Sequence, residues 1–526
     1  MDFEIIAVFN RSITIELNNE NPYNSGVLYS VYVDDIQKKT TDLNVVSIDG
    51  LEPGTKYQIS IEYDSERTTH EVTTKFETCL VNVEQFGAVG DGKHDNTSAI
   101  QAAISSCPEG GTIHIKNGVY LTTPIFLKSH ITLWLDKGAV LLGDTSRDRY
   151  PILPGMVKNV NDTSLEKSIG SWEGNPLDSF ASLITGIDVE DVDIIGNGVI
   201  DGNAEASDWW RDVRKKRIAW RPKTIFLNNC RNIRVQGIRI QNSPSWTIHP
   251  YYCENIGFYD MNVYNPDNSP NTDGFDPECC TDVSIVGVRI SVGDDCIAVK
   301  SGKLYMGMYH YMRTENINVR NCYLERGHGA VTIGSEVSSG VSQLKVEKCI
   351  FSGTDRGLRI KSRRGRGKKS LIDDITFENI EMKDVQMPFT VNMFYFCDPD
   401  GHTDYVQDQN PRPVDDKTPR IGSIIVRDVT CTGVNAVFAC LYALPEMPME
   451  EACFDNIKVT FKDEKERTDV CPIMMDNFMT MNGKSLYIHN VKKVVVRNVT
   501  IKGCSENEPV MINVEEKDIE GLNFIG

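Results

Sequence analysis

The chain has 526 residues, of which 40% are hydrophobic and 25% are charged, and this balance is typical of a soluble globular protein and excludes intrinsic disorder. The net charge of −19 excludes a general affinity for nucleic acid, membranes or other polyanions unless basic residues cluster locally. No stretch approaches the roughly 18 uncharged apolar residues of a membrane span.

The cysteines and the first residues bear on the cellular compartment. There are 15 cysteines, an odd number without C-x-x-C spacing, which favours reduced thiols packed as small core residues and argues against a zinc site. The segment Met1–Leu17 has no basic region followed by an apolar run. We therefore expect a cytoplasmic protein, the alternative being a secreted protein from which the signal has been removed.

Residues 1–78 differ in pattern from the rest. Polar and apolar residues alternate in Ile13–Leu17, Val27–Val33 and Gln58–Tyr63, which predicts an antiparallel β-sandwich. The segment Leu51–Tyr57 resembles the turn before a late strand of fibronectin type III domains. We expect this module to act as a spacer or packing partner, the alternatives being sugar binding or shaping of an active-site rim.

The second region, residues 79–526, opens with the turn-rich segment Phe86–Gly92 and continues with Asn96–Ile104, which reads as a short capped helix. A pattern of one polar residue followed by alternating aliphatic residues then recurs, and between Asn232 and Asp374 its intervals are 23 to 34 residues, a period typical of solenoids. The copies are Asp191–Ile194, Asn232–Val235, Asn255–Phe258, Asp282–Ile285, Asn316–Val319, Gln343–Val346, Asp374–Phe377 and Asn456–Val459.

This pattern predicts an all-β fold, a right-handed parallel β-helix that follows the N-terminal antiparallel β-sandwich. Each coil would stack in parallel on the next, with inward residues forming an apolar column. The helix at Asn96–Ile104 would plug the open end of the first coil, which would otherwise expose its apolar interior. Outward residues on one face would form a long shallow groove suited to a linear polymer.

Four clusters carry the candidate chemistry: Asn271–Gly274, Gly293–Asp295, Gly327–Gly329 and Arg359–Lys361. Their spacing suits one coil each, so we expect them on the same face in successive coils. Crowded carboxylates repel and raise one pKa, and glycoside hydrolysis requires this difference, because one carboxyl group must hold a proton while another activates water. Asp294 and Asp295 are adjacent, so a bulge or bend should direct both side chains to the groove.

The four clusters, in this order, resemble the signature of the polygalacturonases, glycoside hydrolase family 28. Further matches are Trp209-Trp210 after the turn Gly198–Gly202, and the segment Asn242–Pro250. The resemblance spans roughly residues 81–500. It implies an inverting mechanism in which Asp294 is the general acid and Asp273 and Asp295 hold and deprotonate a water molecule. It also implies that Arg359 and Lys361 bind the galacturonate at the cleavage site.

Further site residues surround this set. His328 lies between glycines and is expected to hydrogen-bond the acid or the sugar. Substrate contacts are also predicted for Asn271, Glu336 and Arg363. The last of these belongs to a run dense in lysine and arginine, residues 356–369, a local exception on an acidic chain.

The segment Gly334–Gly340 resembles the exo-acting branch of the family. Exo action needs a wall that closes the groove, and three long inserts could build it: Gly155–Asp178, Lys303–Arg313 and Asp398–Asp416. The predicted partner is polygalacturonate or its oligomers, with no cofactor, metal, nucleic acid or membrane; the oligomeric state stays open. The alternatives are an endo-polygalacturonase, a rhamnogalacturonan or xylogalacturonan hydrolase, a calcium-dependent pectate lyase and a non-catalytic sugar-binding solenoid.

Overall fold

The computed structural model describes residues 1–158, 160–161 and 166–525. Its N-terminal part is an antiparallel sandwich, as predicted, with apolar side chains such as Ile13, Val31 and Ile59 fully buried between the sheets. The fibronectin type III likeness stays a prediction. One sheet holds the strands Phe3–Val8, Ser12–Leu17 and Val45–Asp49; the other holds Asn24–Val33, Ile36–Leu43, Lys56–Tyr63 and Glu66–Thr73.

The sandwich packs along the flank of the second region. Asn10 Nδ2 donates to Thr112 Oγ1 over 2.6 Å, and the Ser47 amide donates to Asp260 Oδ2 over 2.7 Å. Glu16 forms an ion pair of 2.9 Å with Arg320. These contacts reach several coils, so the sandwich is a packing partner of the solenoid along much of its length.

The second region is a right-handed parallel β-helix whose coils have three faces, which confirms the predicted fold class. First-face strands are Leu80–Asn82, Gly111–Ile115, Ile131–Leu135, Glu190–Gly196, Arg231–Gln236, Glu254–Tyr259, Thr281–Val286 and Thr314–Arg320. Second-face strands are Asp91–Asp95, Gly118–Thr122, Ala139–Gly143, Val199–Asp201, Arg239–Gln241, Asn262–Tyr264, Arg289–Ser291 and Tyr323–Glu325. Third-face strands are Ile125–Phe126, Ile184–Ile187, Ile225–Asn228, Ile248–Tyr251, Ile297–Val299, Val331–Gly334, Arg356–Lys361, Met387–Asn392 and Val437–Tyr442.

Longer strands complete the later coils. Four of them run across the first two faces: Val341–Ser352, Leu371–Lys383, Ser423–Val434 and Met449–Phe461. The last two begin on the third face and continue across the first two: Lys484–Lys502 and Val510–Ile525. Short strands in the loops are Ile152–Leu153, Met156–Lys158, Glu166–Ser168, Ser179–Phe180 and Arg420–Ile421. The helical segments are Val83–Phe86, Thr97–Ser106, Arg147–Arg149, Leu304–Tyr309, Asp404–Gln407 and Glu464–Glu466. Among the described residues no helix is both long and apolar enough to cross a membrane.

The polar residue that opens each repeat occupies a corner with left-handed backbone. Asn232 and Asn255 both have φ of 54°, a conformation that asparagine and aspartate tolerate best among non-glycine residues. Asn255 donates to Asn232 over 2.7 Å, and Asn232 donates to Asp191 over 2.9 Å, so the corners form a ladder. The repeat at Asn456 was wrongly assigned to this column, because Ile457 pairs with Val429 and therefore lies at the next corner of its coil.

The predicted plug is the helix Thr97–Ser106, whose Ile100 and Ile104 are buried in the solenoid core. The expected side-chain cap is absent: Asn96 instead accepts a hydrogen bond from the Val89 amide over 2.6 Å. Asn96 thus ties the helix start to the preceding turn.

Candidate active site

The third face brings the four clusters together on successive coils, as their spacing predicts. Phe275 pairs with Ile297, Ile297 with Val331, and Val331 with Leu358. His328 therefore lies one coil beyond Asp294, and the His328 amide donates to the Asp294 carbonyl oxygen over 3.0 Å. The following strand, Arg356–Lys361, carries the two cations on its outward side.

Three carboxylates meet at the start of the strand Ile297–Val299. One oxygen from each of Asp273, Asp294 and Asp295 lies within 4.8 Å of the other two. The predicted bend is present before this strand, and the Asp295 amide donates to Asp294 Oδ1 over 3.0 Å. The backbone thus turns so that neighbouring aspartates share one cleft.

Asp295 is fully buried between two cations. Its Oδ1 accepts from Arg359 Nη1 over 3.0 Å, and its Oδ2 accepts from Lys361 Nζ over 2.7 Å. Burial alone would raise the pKa of Asp295, but the charges of Lys361 and Arg359 outweigh it and hold this pKa far below its usual range. Gly329 is required beside this carboxylate, since a Cβ there would lie 2.8 Å from Asp295 Oδ1.

Asp273 and Asp294 form a contrasting pair. Burial and the neighbouring charge of Asp294 raise the pKa of Asp273 well above its usual range, while Lys300, 3.8 Å away, opposes the shift. Asp294 is partly exposed and forms no ion pair within the part of the chain that the structure describes. Asp273 thus lies between a neighbouring carboxylate that disfavours its ionised form and an ammonium group that favours it.

His328 is half-exposed beside this pair. Its Nδ1 lies 2.9 Å from Asp355 Oδ2, and this hydrogen bond, aided by the charge of Asp294, raises the pKa of His328. Asp355 therefore orients the imidazole and favours its charged form next to the cluster of aspartates.

The other predicted contacts are engaged within the protein. Asn271 Oδ1 accepts from Arg221 Nη2 over 2.5 Å. Glu336 is buried and lies 3.2 Å from Lys300. Arg363 donates to Asp400 over 2.6 Å and pairs with Asp398 at 3.2 Å, so this guanidinium fixes a loop of the protein itself.

The three predicted inserts meet at Lys303. Positions 159 and 162–165 of the first insert lie outside the described residues. The Lys303 amide donates to Gly174 O over 2.9 Å, and Lys303 Nζ pairs with Asp398 at 3.0 Å. Gly174 abuts Glu336, because a Cβ there would lie 2.7 Å from Glu336 Cγ. We call these three joined inserts the rim wall.

Sequence reasoning missed several site residues. Lys300, Arg221 and Asp355 all contact predicted site residues. Lys300 comes at the end of the apolar strand Ile297–Val299, which begins two residues after Asp295. A charged residue that ends a buried strand next to a candidate catalytic motif was a usable signal. Arg221 lies in a loop far from the motifs, and its spacing carries no such signal.

The three aspartates are close enough to hold a cation, as are His130, Glu190 and Asp191 on the first face. At the aspartates, however, Lys300, Arg359 and Lys361 already supply positive charge, which disfavours a bound metal ion. A protonated carboxyl group beside ionised carboxylates is the arrangement that hydrolyses a glycosidic bond by acid and base catalysis. The fold and site therefore define a solenoid glycoside hydrolase.

Comparison with known proteins identifies the family. The family described as "Glycosyl hydrolases family 28" matches residues 162–477, more than half of the chain, and "Rhamnogalacturonase A/epimerase, pectate lyase-like" matches residues 80–165. The chain belongs to glycoside hydrolase family 28. It is 32% identical to a probable polygalacturonase of Vitis vinifera over 71% of this chain and 73% of the relative.

Two bacterial proteins are similar over longer spans. An exo-poly-alpha-D-galacturonosidase of Dickeya chrysanthemi is 26% identical over 88% of this chain and 82% of its own. The solved structure of a family 28 exopolygalacturonase of Yersinia enterocolitica superposes with a TM-score of 0.69 at 19% identity, covering 98% of each chain. At that identity the likeness supports the fold alone.

Proposed function

We propose that this protein hydrolyses the α-1,4-galacturonosidic bonds of polygalacturonate or its oligomers from one chain end, by an inverting acid and base mechanism. The observation that carries the chemistry is the cluster of Asp273, Asp294 and Asp295, in which two carboxylates have cationic partners and Asp294 has none among the described residues.

Each aspartate has one role in the proposed reaction. Asp294 donates its proton to the glycosidic oxygen as the bond to the anomeric carbon breaks. Asp273 and Asp295 hold a water molecule, and its oxygen attacks the anomeric carbon while its proton passes to Asp273. Asp295 is held ionised by Lys361 and Arg359, so it serves to orient the water and stabilise the positive charge that develops on the sugar.

The substrate's carboxylate also needs a cation on this acidic chain. Arg359 uses Nη1 for Asp295, while its Nη2 contacts the sulfur of Met474 at 3.2 Å, a weak acceptor. A galacturonate carboxylate is a far stronger acceptor for that N–H group. Arg359 and Lys361 would then join the sugar and Asp295 in one charge network.

Exo action is supported by the rim wall, which closes over the cleft beside Glu336 and Lys300. The wall is further braced by Trp172, whose ring stacks on Trp220 at 5.0 Å and lies 5.2 Å from the Arg221 guanidinium. A wall at this place limits how many sugars fit beyond the cleaved bond.

The test is a time course of products from polygalacturonate, resolved by length. One short product accumulating from the start supports exo action, and a ladder of lengths contradicts it in favour of endo action. Products absorbing in the ultraviolet, lost in chelator, would instead indicate a calcium-dependent lyase. Parallel assays on rhamnogalacturonan and xylogalacturonan measure the preference for the related substrates.

We also infer a reducing compartment, such as the cytoplasm, where the protein would act on oligomers taken up by the cell. All 15 cysteines are free thiols, and those such as Cys253 and Cys280 are fully buried in the solenoid core. Fractionation of source cells followed by immunodetection tests this, and recovery from the medium or an extracytoplasmic fraction contradicts it.

A further inference from the structure

Lys300 lies beneath the catalytic carboxylates with its ammonium group buried. Its Nζ is 3.2 Å from Glu336 Oε2, 3.7 Å from Asp276 Oδ1 and 3.8 Å from Asp273 Oδ2. It also donates to the Gly334 carbonyl oxygen over 3.3 Å. The hydrolytic steps described above do not use this group, although it is the charged nitrogen paired with Asp273.

The cations divide unequally among the three catalytic aspartates. Asp295 has Arg359 and Lys361, and Asp273 has Lys300, whereas Asp294 has no ion-pair partner in the described part of the chain. The charge of Asp294 disfavours ionisation of its buried neighbour Asp273. A cation beside Asp273 opposes that effect.

We propose that Lys300 is a positioning residue whose buried ammonium group stabilises the ionised form of Asp273, the form that can take a proton from the attacking water. This inference rests on the proposed role of Asp273 as the base. Burial and the charge of Asp294 act against ionisation of Asp273, and without Lys300 they would be opposed less.

Other charges near Asp273 do not take over this task. Lys361 is engaged with Asp295 at 2.7 Å, and Arg221 donates to Asn271. Glu336 competes with Asp273 for the charge of Lys300. Burial alone would raise the pKa of Glu336, but the charges of Lys300 and then of Lys303 outweigh burial and hold this pKa well below its usual range.

Asp276 competes less, since burial and then the charge of Asp273 raise the pKa of Asp276 well above its usual range. Lys300 Nζ lies at nearly equal distances from Asp276 Oδ1 and Asp273 Oδ2, 3.7 and 3.8 Å, so it stabilises a negative charge on Asp273 as directly as one on Asp276.

The experiment compares Lys300→Met and Lys300→Arg with the natural protein in the pH profile of kcat on an oligogalacturonide. The acidic limb reports ionisation of Asp273, so removing the cation moves this limb to higher pH. We expect kcat to fall by about 10–100-fold with little change in KM, less than the roughly 100–10,000-fold effect of a whole acid or base, and we expect arginine to restore most of the loss. A merely structural lysine would lower activity without moving the limb.

Glu336→Gln provides a second variant if Lys300→Met does not fold. Removing the anion nearest to Lys300 leaves more of its charge for Asp273, so the acidic limb moves to lower pH. The control Lys303→Met removes a neighbouring ammonium that pairs with Asp398 at 3.0 Å, and its acidic limb stays closer to that of the natural protein.

The proposal is overturned if the acidic limb of the pH profile stays in place in both Lys300→Met and Glu336→Gln. Asp294→Asn distinguishes a failure of this proposal from a failure of the proposed function. Near-normal turnover in Asp294→Asn overturns the acid assignment itself, whereas an inactive, folded Asp294→Asn with unmoved limbs in the Lys300 and Glu336 variants overturns only the role of Lys300.

Discussion

Lys361 Nζ lies 2.7 Å from Asp295 Oδ2, and both side chains are buried. The sequence predicts that this lysine binds the sugar, and in the structure it also neutralises a carboxylate of the aspartate cluster. One residue can do both, because an ammonium group has three donors and Asp295 uses one of them. The pair thus links binding of an anionic sugar to the charge state of the site.

Lys361→Met is expected to lower kcat/KM by about 100-fold or more, since a buried carboxylate loses one of its two cations and the substrate loses a partner. The effect should appear in both kcat and KM, measured by reducing-sugar release. Lys369→Met is the control, because Lys369 is exposed and its ammonium group lies over the Tyr311 ring, 4.6 Å from the ring centre. Equal activity of the two variants would contradict the idea that Lys361 both binds the sugar and neutralises Asp295.

Asp355→Asn should move the alkaline limb of the pH profile to lower pH. His328 is protonated below its pKa, and its hydrogen bond to Asp355, 2.9 Å long, is the main cause that raises this pKa. Weakening that bond lowers the pKa of His328, so the charged imidazole beside the acid is lost earlier as pH rises.

A matched control for this variant exists elsewhere on the chain. His402 pairs with Asp476 at 2.8 Å, a similar histidine–aspartate contact that lies outside the four sequence clusters of the site. Asp476→Asn should leave the alkaline limb in place, and an equal displacement in both variants would show that the limb does not report His328.

The stereochemistry of the product tests the mechanism independently of mutations. The nearest oxygens of the three aspartates lie within 4.8 Å, closer than the roughly 6.5–9.5 Å between the two carboxyl groups of most inverting glycosidases. In the proposed mechanism two carboxylates hold one water, so the water need not fit between a single acid and a single base. Asp295 is a poor nucleophile because Arg359 and Lys361 bind its charge.

We therefore expect inversion, with the β-anomer formed first from the α-linked substrate. Proton NMR during the first minutes of hydrolysis distinguishes it from the α-anomer, before mutarotation mixes the two. An initial α-anomer would require a covalent intermediate and would contradict the assignment of Asp273 and Asp295 to water activation.

The contrast between Lys361 and Lys300 shows what the sequence could predict. Regular coils place residues of similar register on one face, so the spacing of Asp273, Asp294, His328 and Lys361 was sufficient to bring them together. Lys300 lies in the same ladder, but its role depends on Glu336, which reaches it from a loop after the next strand. Such partnerships depend on loop paths, which coil spacing does not encode.

Arg363 illustrates the same limit. The basic run that contains it indicated a binding patch, and alternation predicted that Arg359 and Lys361 point together. The acidic partners Asp398 and Asp400 come from the rim wall, and the folding of that long insert over the strand cannot be derived from periodicity.

The misplaced repeat at Asn456 has a related cause, because both corners of the coil favour asparagine and the pattern alone does not distinguish them.

Asp260→Asn should stabilise the protein near neutral pH. Asp260 accepts a hydrogen bond of 2.7 Å from the Ser47 amide at the junction of sandwich and solenoid, and burial raises the pKa of Asp260 from 3.8 to about 6. Because the folded protein holds this proton more tightly than the unfolded chain, stability falls as pH rises between about 4 and 6. Asparagine keeps an acceptor for Ser47, tolerates the φ of 48° and carries no charge.

The expected gain is roughly 1–2 kcal/mol at about pH 7.5, shrinking towards zero below about pH 4, where Asp260 is neutral in the folded state. Thermal unfolding of both proteins at the two pH values measures it. Asp282→Asn is the control: Asp282 occupies a similar left-handed corner with φ of 57° but is exposed, so we expect less than about 0.5 kcal/mol at either pH. A pH-independent gain at Asp260 would mean that the aspartate is already solvated where the sandwich meets the coils.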